Sequence, residues 1–375
     1  MRVHGADMRS VWVEGEAGSS GRLRIIDQTR LPHELRLVTL ESVDDVARAI
    51  RHMWVRGAPL IGATAAYGLA LAMGSDPSDE GLEAATRTLL DTRPTAINLR
   101  WAIDDMRSRL ATVAPGERER EAFDRARAMA DEDVAICRSI GEHGAGVLRN
   151  RAANAKRDGP LQLLTHCNAG WLATVDWGTA LAPVYRVHRC GMPVHVWVSE
   201  TRPRNQGASL TAWELAEEEV PHTVVPDNAS GHLLRTGRVD LVITGTDRTT
   251  AAADVCNKIG TYMKAVAAHD CGVPFYAAVP GPSIDWELGE DGADEIPIEE
   301  RDDAEVAEVF GMGPDGRMTS VRITPTGSAV ANFGFDVTPA RLVTGIITER
   351  GVCEASRDGL LSLYPERATA EGPRE

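Results

Sequence analysis

Hydrophobic and polar positions follow different patterns in the two parts of the chain. After a short β-rich start, residues 1–150 carry apolar side chains at helical spacing. This spacing predicts helices over 43–55, 59–74, 81–91, 95–111 and 118–149. The polar segment 151–158 is predicted to be a linker. We therefore expect a first domain over residues 1–150 that is mostly helical, with a small β region.

Beyond the predicted linker, short apolar runs alternate with helical stretches. Near-continuous apolar runs are typical of strands that are buried on both faces of a parallel sheet. The runs predict strands over 161–168, 193–200, 222–228, 240–247 and 274–280. The stretches between them predict helices over 176–190, 207–218, 229–236 and 255–271. This alternation predicts a Rossmann-like, doubly wound parallel sheet over residues 151–375, so the fold class is α/β.

Polar side chains follow the predicted strands at the points where they end. In doubly wound sheets, ligands bind beyond the carboxyl ends of the strands. The polar strand ends are His166–Asn168, Ser199–Arg202, Asp227–Asn228 and Thr246–Arg248. We therefore expect the functional site to lie at this edge of the sheet.

Composition and charge exclude several classes of function. The net charge of −15 and the pI of about 5.2 argue against a broad nucleic-acid surface, although a local basic pocket for a small anion remains compatible with them. The longest nearly apolar stretch, Leu60–Met73, is too short to span a bilayer. The six cysteines form no CxxC pair and the ten histidines show no metal-ligand spacing. We expect a cytoplasmic protein without a bound metal.

Two arginines precede predicted helix starts. Gly57 permits a close backbone approach and Pro59 suits a first helical turn, so the amides of Gly57 and Ala58, with the side chain of Arg56, form a candidate anion site. Arg93 stands before a second helix start in the same way. The alternative for both arginines is a solvated side chain at an ordinary loop-to-helix junction.

Two strand ends carry candidate catalytic groups. Cys167 is followed by a glycine and a predicted helix, whose N-terminal amides can stabilise a thiolate. Asp247 ends another strand, where a partly buried carboxyl group can serve as a general acid. Asn257 and Lys258 are predicted to open the next helix and to hold a sugar hydroxyl and a phosphate. The alternative for Cys167 is an inert buried thiol, and the alternative for Asp247 is a structural ion pair with Arg248.

One familiar motif is predicted to be a turn. Residues Gly311–Gly316 satisfy the GxGxxG pattern of dinucleotide loops, but they follow a helical stretch rather than a strand and lead into the strand-like segment 317–323. A nicotinamide-dependent oxidoreductase is disfavoured for this reason.

A set of longer motifs covers nearly the whole chain. These are VRGAPLIG, TRPTAINL, THCNAG, SETRPRNQGASLTAWEL, DNASGHLL, GTDR, DVCNKIGTY, EIPIEER and FDVTPARLVTGIITERGV. Together they resemble the methylthioribose-1-phosphate isomerase family, part of a larger group that includes the regulatory subunits of the eukaryotic translation-initiation exchange factor. The resemblance implies a homodimeric aldose–ketose isomerase of methionine salvage that needs no metal or organic cofactor. It also implies roles for Cys167 and Asp247 in catalysis, and for Arg56, Gly57, Ala58, Arg93, Gln206, Asn257 and Lys258 in substrate binding.

Some positions depart from the usual family pattern, and they leave the C5 group of the sugar open. They are Leu60, Ser199, Thr246 and the loop VPGPSIDW at 279–286. The candidate substrates are 5-methylthioribose 1-phosphate, 5-deoxyribose 1-phosphate and ribose 1,5-bisphosphate. A different class, a non-catalytic subunit that binds sugar phosphates or nucleotides, is disfavoured because Cys167 and Asp247 are both retained.

Overall fold

The first part of the chain forms small antiparallel sheets. In the computed structural model, which describes residues 1–15, 21–155, 158–289 and 292–368, the strands here are β1 (Arg2–Val3), β2 (Ala6–Asp7), β3 (Val11–Glu14), β4 (Arg22–Ile26) and β5 (Leu37–Leu40). Strands β1 and β2 pair with each other, and β3, β4 and β5 form a three-stranded sheet. The predicted β-rich start is confirmed.

Five helices follow, as the apolar spacing predicts. They are α1 (Val43–Arg51), α2 (Ala58–Ser75), α3 (Asp79–Leu90), α4 (Ile97–Leu110) and α5 (Arg118–Ala153). Ser42 and Ser78 accept hydrogen bonds from Asp45 N and Gly81 N, which caps α1 and α3. Helix α2 contacts the other four helices. It is long and apolar enough to cross a membrane, but 78% of it is buried inside the protein, so it is the central helix of this core.

The second part of the chain contains a seven-stranded sheet. Its strands are β6 (Leu161–Thr165), β7 (Val194–Ser199), β8 (His222–Val225), β9 (Leu241–Thr244), β12 (Phe275–Ala278), β17 (Gly345–Thr348) and β18 (Gly351–Cys353). The order is β18-β17-β12-β9-β6-β7-β8, and only β18 runs antiparallel to its neighbour. All five predicted strands are present. Since β6 is the first strand and the chain then continues to either side of it, the topological switch point lies between β6 and β9.

Shorter helices lie between or after these strands along the chain. They are α6 (Ala182–Arg189), α7 (Ala212–Glu217), α8 (Ala229–Arg235), α9 (Thr261–Asp270), α10 (Ala304–Ala307) and α11 (Arg357–Leu363), and a π-helical turn, Gly207–Thr211, leads into α7. The predicted helix over 176–190 is therefore shorter than expected, because it begins only at Ala182.

A second sheet overturns one predicted element. Its strands are β10 (Arg248–Thr250), β11 (Val255–Lys258), β13 (Ile284–Asp285) and β16 (Phe335–Thr338). The helix predicted over 255–271 is wrong for its first four residues, because β11 pairs with β16, about eighty residues further along the chain. Gly260, with φ of 98°, separates β11 from α9.

The GxGxxG segment is a turn, as predicted, but its setting differs. It connects β14 (Glu308–Met312) to β15 (Met318–Arg322) in an antiparallel hairpin. The expectation that it follows a helical stretch is therefore wrong, since a strand precedes it. A hairpin turn does not lead into the helix that a dinucleotide loop requires.

Helix α5 joins the two parts of the molecule. Its residues up to Val134 pack into the core around α2, whereas Ile140, Ala145 and Leu148 pack into the core under the main sheet. The helix runs three residues into the predicted linker, because Arg151, Ala152 and Ala153 are good helix formers. A domain boundary at residue 150 stays a prediction.

Candidate active site

A cavity lies where the carboxyl ends of β6 and β9 meet the loops in front of α2 and α4. Its volume is about 640 Å³, including its opening to solvent. All nine residues singled out from the sequence line it: Arg56, Gly57, Ala58, Arg93, Cys167, Gln206, Asp247, Asn257 and Lys258. The structure therefore brings together side chains that lie up to about two hundred positions apart in the sequence.

Cys167 lies at the end of β6, beside the topological switch point. Its backbone has φ of 63°, its amide donates to Thr201 Oγ1 at 2.8 Å, and its carbonyl accepts from Thr211 Oγ1 at 2.7 Å. Burial raises the pKa of the Cys167 thiol, and the nearby charges of Arg56 and Lys258 oppose that rise. The unusual backbone conformation is thus fixed by two hydroxyl groups.

The expected source of thiolate stabilisation is wrong. No α-helix begins directly after Cys167, because the chain passes through the short 3₁₀ turn Trp171–Ala173 and α6 starts only at Ala182. The charges that favour a thiolate come instead from side chains across the cavity, those of Arg56 and Lys258.

Asp247 lies on the other side of the switch point, after β9. Its amide donates to Cys256 O at 2.9 Å, which ties it to the second sheet. The predicted alternative, an ion pair with Arg248, is not formed: Arg248 pairs with Asp285 at 3.3 Å and donates to Thr95 O at 2.7 Å. The Asp247 side chain faces the cavity instead.

Asn257 and Lys258 reach the cavity from strand β11, and not from a helix start as the sequence predicted. Lys258 Nζ donates to Gly334 O at 2.8 Å and lies 4.3 Å from the centre of the Phe335 ring. Burial lowers the pKa of Lys258, and the charges of Arg301 and Arg93 lower it further. Asn257 Nδ2 donates to Thr261 Oγ1 at 3.1 Å. Both side chains are held rigidly at the cavity wall.

Gln206 contributes an unsatisfied acceptor. Its side chain is buried in the cavity wall at the start of the π-helical turn, and its Oε1 has no hydrogen-bond partner among the described residues. Buried polar atoms in native proteins nearly always have a partner. This oxygen is therefore suited to accept a hydrogen bond from a hydroxyl group of a ligand.

Arg56, Gly57 and Ala58 form the other wall. The guanidinium of Arg56 donates twice to Asn168, through Nη1 to the side-chain oxygen and through Nη2 to the main-chain oxygen at 2.7 Å. Gly57 has φ of 95°, and any Cβ there would collide with the backbone of Ala173. Gly57 and Ala58, at the start of the eighteen-residue helix α2, therefore line the cavity closely, and the anion site that their amides are expected to form stays a prediction.

Two further arginines line the cavity. Arg93 forms an ion pair with Glu299 at 2.8 Å, and Arg301 pairs with Glu305 at 3.3 Å. Arg301 also donates to Met53 Sδ at 2.9 Å. Sequence reasoning missed Arg301 as a cavity residue, although it closes the motif EIPIEER.

The charges in the cavity favour an anionic ligand. Arg56, Arg93, Lys258 and Arg301 line it, and Asp247 is the one acidic side chain among its described lining residues. Such an arrangement attracts a phosphate dianion. In the part of the chain that the structure describes, no group of three His, Cys, Asp or Glu side chains is placed to hold a metal ion. The expectation of a metal-free enzyme stays a prediction.

Two of the four departures from the family pattern touch the cavity. Thr246 and Pro280 line it, whereas Leu60 is buried among the helices and Ser199, at the end of β7, donates to Asp227, which follows β8. The Thr246 hydroxyl is already engaged, since it donates to Arg248 O at 2.7 Å. Of these positions, only Thr246 and Pro280 are therefore placed to contact a ligand in the cavity.

Comparison with known proteins agrees with this geometry. The model of the initiation factor 2 subunit family matches residues 54–355. The chain is 61% identical to the methylthioribose-1-phosphate isomerase of Rhodospirillum rubrum, over 100% of this chain and 96% of the relative. It is 60% identical to the protein of the same name from Methylorubrum extorquens, over 99% of this chain and 100% of the relative.

Two solved structures share the fold over nearly the whole chain. One is 5-methylthioribose 1-phosphate isomerase from Pyrococcus horikoshii OT3, with a TM-score of 0.81, 39% identity and coverage of 96% of both chains. The other is the translation initiation factor eIF-2B subunit delta from A. fulgidus, with a TM-score of 0.77, 36% identity and coverage of 96% of this chain and 100% of that one. The resemblance to the methylthioribose-1-phosphate isomerase family is confirmed, and the chain belongs to the initiation factor 2 subunit family.

Proposed function

We propose that this protein isomerises 5-methylthioribose 1-phosphate to 5-methylthioribulose 1-phosphate. The observation that carries the proposal is the pairing of Cys167 and Asp247 on either side of the switch point, inside a cavity with four cationic side chains. Relatives that are 58–61% identical over almost the whole chain carry the name of this enzyme. The reaction is an intramolecular oxidoreduction that belongs to methionine salvage.

Ring opening is the first chemical problem for an aldose 1-phosphate. The anomeric oxygen is phosphorylated, so the ring cannot open by loss of a hydroxyl proton. The ring oxygen must accept a proton as its bond to C1 breaks, and Asp247, which lines the cavity, is suited to supply it. The proton that later leaves the C2 hydroxyl restores Asp247, so the cycle needs no external reductant or oxidant.

Hydrogen then moves from C2 to C1, and two routes remain open. In one, Cys167 removes the C2 proton to give an enediol-type intermediate and returns it to C1. In the other, hydride shifts directly and Cys167 stabilises the transition state. Burial raises the pKa of Cys167, which favours the neutral thiol, and the second route is compatible with a neutral thiol without a prior ionisation.

The remaining residues bind and orient the substrate. Arg56, Arg93 and the amides of Gly57 and Ala58 are suited to the 1-phosphate, since its charge needs fixed donors. Gln206 Oε1 is suited to accept from a sugar hydroxyl. Asn257 and Lys258 contribute further polar contacts from β11.

A panel of ribose 1-phosphates that differ at C5 tests the proposal. We expect formation of the ketose 1-phosphate from the 5-methylthio sugar, followed by NMR of the C1 and C2 positions. A preference for 5-deoxyribose 1-phosphate or ribose 1,5-bisphosphate would instead select one of those isomerases. Absence of turnover on every sugar, with binding retained, would indicate a non-catalytic binding subunit.

We further infer that the protein is a cytoplasmic homodimer. All six cysteines are free, which suits a reducing compartment. Helix α9 exposes three large apolar side chains close together, Tyr262, Met263 and Val266, and such a patch is typical of a subunit contact. Light scattering at micromolar concentration is expected to give twice the mass of the chain, and a monomer would contradict the inference.

A further inference from the structure

Glu214 on α7 is a carboxylate buried completely behind the cavity wall. Four groups donate to it: Asn168 Nδ2 at 2.9 Å, Trp171 N at 2.8 Å, Leu172 N at 2.9 Å and the Tyr185 hydroxyl at 2.7 Å. Three of these four donors cannot act as acceptors, which favours the ionised carboxylate, whereas burial raises the pKa of Glu214 and the donated hydrogen bonds oppose that rise. No cation lies within ion-pair distance of it in the described parts of the chain. Any effect of Glu214 on the cavity is therefore transmitted through the groups that donate hydrogen bonds to it.

The protein makes room for this carboxylate at one particular position. Any Cβ on Gly170 would collide with the Glu214 carboxylate. Gly170 ends the motif THCNAG and Glu214 lies near the end of SETRPRNQGASLTAWEL, so the two motifs fit each other in space. The absence of a side chain on Gly170 therefore leaves room for Glu214 to reach under the turn after β6.

Asn168 connects Glu214 to Arg56. Its amide nitrogen donates to Glu214 and to Thr211 Oγ1 at 3.1 Å, which leaves its side-chain oxygen facing Arg56. The Arg56 guanidinium donates to that oxygen and to the main-chain oxygen of the same residue. If the Asn168 amide were rotated by half a turn, its nitrogen would face the Arg56 guanidinium, and two donors would oppose each other. The Glu214 carboxylate therefore fixes the orientation of the Asn168 amide. The guanidinium is thereby held in one orientation.

The same network reaches the main chain of Cys167. Thr211, which accepts from Asn168, donates to Cys167 O at 2.7 Å. We propose that Glu214 is a positioning residue, which acts through Asn168 to orient Arg56 toward the phosphate of the substrate. The proposal rests on the proposed function for the identity of that substrate, and it extends the site beyond the residues that line the cavity.

Steady-state kinetics of Glu214→Gln test this role. Glutamine keeps the size and one oxygen but removes the charge, and we expect KM for the sugar phosphate to rise about 10-fold, the lower end of the range for residues that orient a binding group, while kcat changes less. Asp133→Asn is the matched control, because Asp133 is a half-buried carboxyl group that accepts a backbone hydrogen bond, from Val175 N at 2.7 Å, and does not line the cavity. Its KM is expected to stay at the wild-type value.

A double-mutant cycle distinguishes positioning from general damage. If Glu214 acts through Arg56, then Glu214→Gln is expected to add little to the KM of Arg56→Ala, because interacting residues are not additive. An equal rise in KM in both backgrounds, or an unchanged KM in the single variant, would overturn the proposal. If Glu214→Gln does not fold, Asn168→Ala removes the same link and must reproduce the rise in KM.

Binding of inorganic phosphate by calorimetry separates this proposal from the proposed function. Wild-type protein is expected to bind phosphate more tightly than Glu214→Gln by about the same factor as the change in KM. Equal phosphate affinities would remove the positioning role even if the isomerase activity is found. A weaker affinity in the variant would retain that role even if the methylthio sugar is not turned over.

Discussion

The two walls of the cavity hold their functional groups in different ways. On the sheet wall, Cys167 and Asp247 follow neighbouring parallel strands and are tied down by hydrogen bonds of their own backbone. On the helical wall, Arg56 and Arg93 stand on loops before α2 and α4, and their guanidinium groups are held by Asn168 and Glu299 from the other part of the molecule.

We infer from this difference that the sheet wall carries out the chemistry and that the helical wall binds the substrate. Groups that transfer protons need the fixed geometry that a packed sheet supplies, and backbone anchoring gives them that geometry without a ligand. The arginines depend on contacts across the cleft, and their charge is what a phosphate needs. We therefore expect substitutions on the sheet wall to lower kcat, and substitutions on the helical wall to raise KM.

The largest effect is expected for Asp247→Asn. Asparagine keeps the size and a hydrogen bond but cannot cycle a proton, so kcat should fall by about two to four orders of magnitude. Steady-state turnover of the 5-methylthio sugar measures the effect, and the melting temperature should match that of the wild type. A variant that keeps a tenth of the wild-type kcat would remove Asp247 from the mechanism.

Cys167→Ser is expected to lower kcat by about two orders of magnitude, at the lower end of the range for a proton-transfer group. The pH dependence of kcat of the wild-type protein then distinguishes a Cys167 that acts as a base from a Cys167 that stabilises the transition state. Since burial raises the pKa of Cys167, the neutral thiol predominates near pH 7 and thiolate forms only as the pH rises. A base role predicts that kcat rises with pH, whereas a stabilising thiol predicts a level kcat near neutrality and a decline at alkaline pH.

Arg56→Ala and Arg93→Ala test the helical wall. Loss of a hydrogen bond to a charged group costs about 1.5–3 kcal/mol, so KM should rise by roughly 10- to 150-fold with a smaller change in kcat. Glu299→Gln is the companion variant, because it removes the ion pair of Arg93 without removing the cation. Unchanged KM values in both arginine variants would mean that the phosphate binds elsewhere, and the comparison of the two walls would fail.

The smallest effect concerns the C5 group. Discrimination of a small apolar substituent is worth about 1–3 kcal/mol, or 10- to 200-fold. We expect overlapping activity on the 5-methylthio and 5-deoxy sugars, with about a 10-fold preference for the former, near the lower limit of that range. Ribose 1-phosphate should be poorer, because its 5-hydroxyl is desolvated on binding. A preference for ribose 1-phosphate in kcat/KM would contradict this description of the subsite.

The sequence predicted the main sheet and most of the charged members of the site because these depend on local signals. Buried runs predicted the strands, and polar strand ends predicted where Cys167 and Asp247 lie. Gln206 came only from the family resemblance, since no local pattern marks a buried amide as a ligand. The identity of the cavity residues was therefore accessible before the structure, whereas their roles stay predictions.

Elements that depend on distant pairing were not predicted. Strand β11 forms because Val255–Lys258 pairs with Phe335–Thr338, and no local pattern marks that partner. Arg301 and Glu214 were missed for a related reason: one reaches the cavity from a segment far from the main strands, and the other acts from behind a wall that only the folded chain creates.

Helix α5 also bears on how such a chain can be divided or recombined. Its 36 residues extend over about 54 Å, and this one continuous helix packs against both hydrophobic cores. A fragment that ends at residue 150 keeps Ile140, Ala145 and Leu148 but loses the sheet that covers them. It therefore exposes an apolar stripe that promotes association. If the two parts of the chain were exchanged between relatives at residue 150, helix α5 of one parent would have to pack against the main sheet of the other. A chimera that takes α5 and both cores around it from one parent avoids this mismatch.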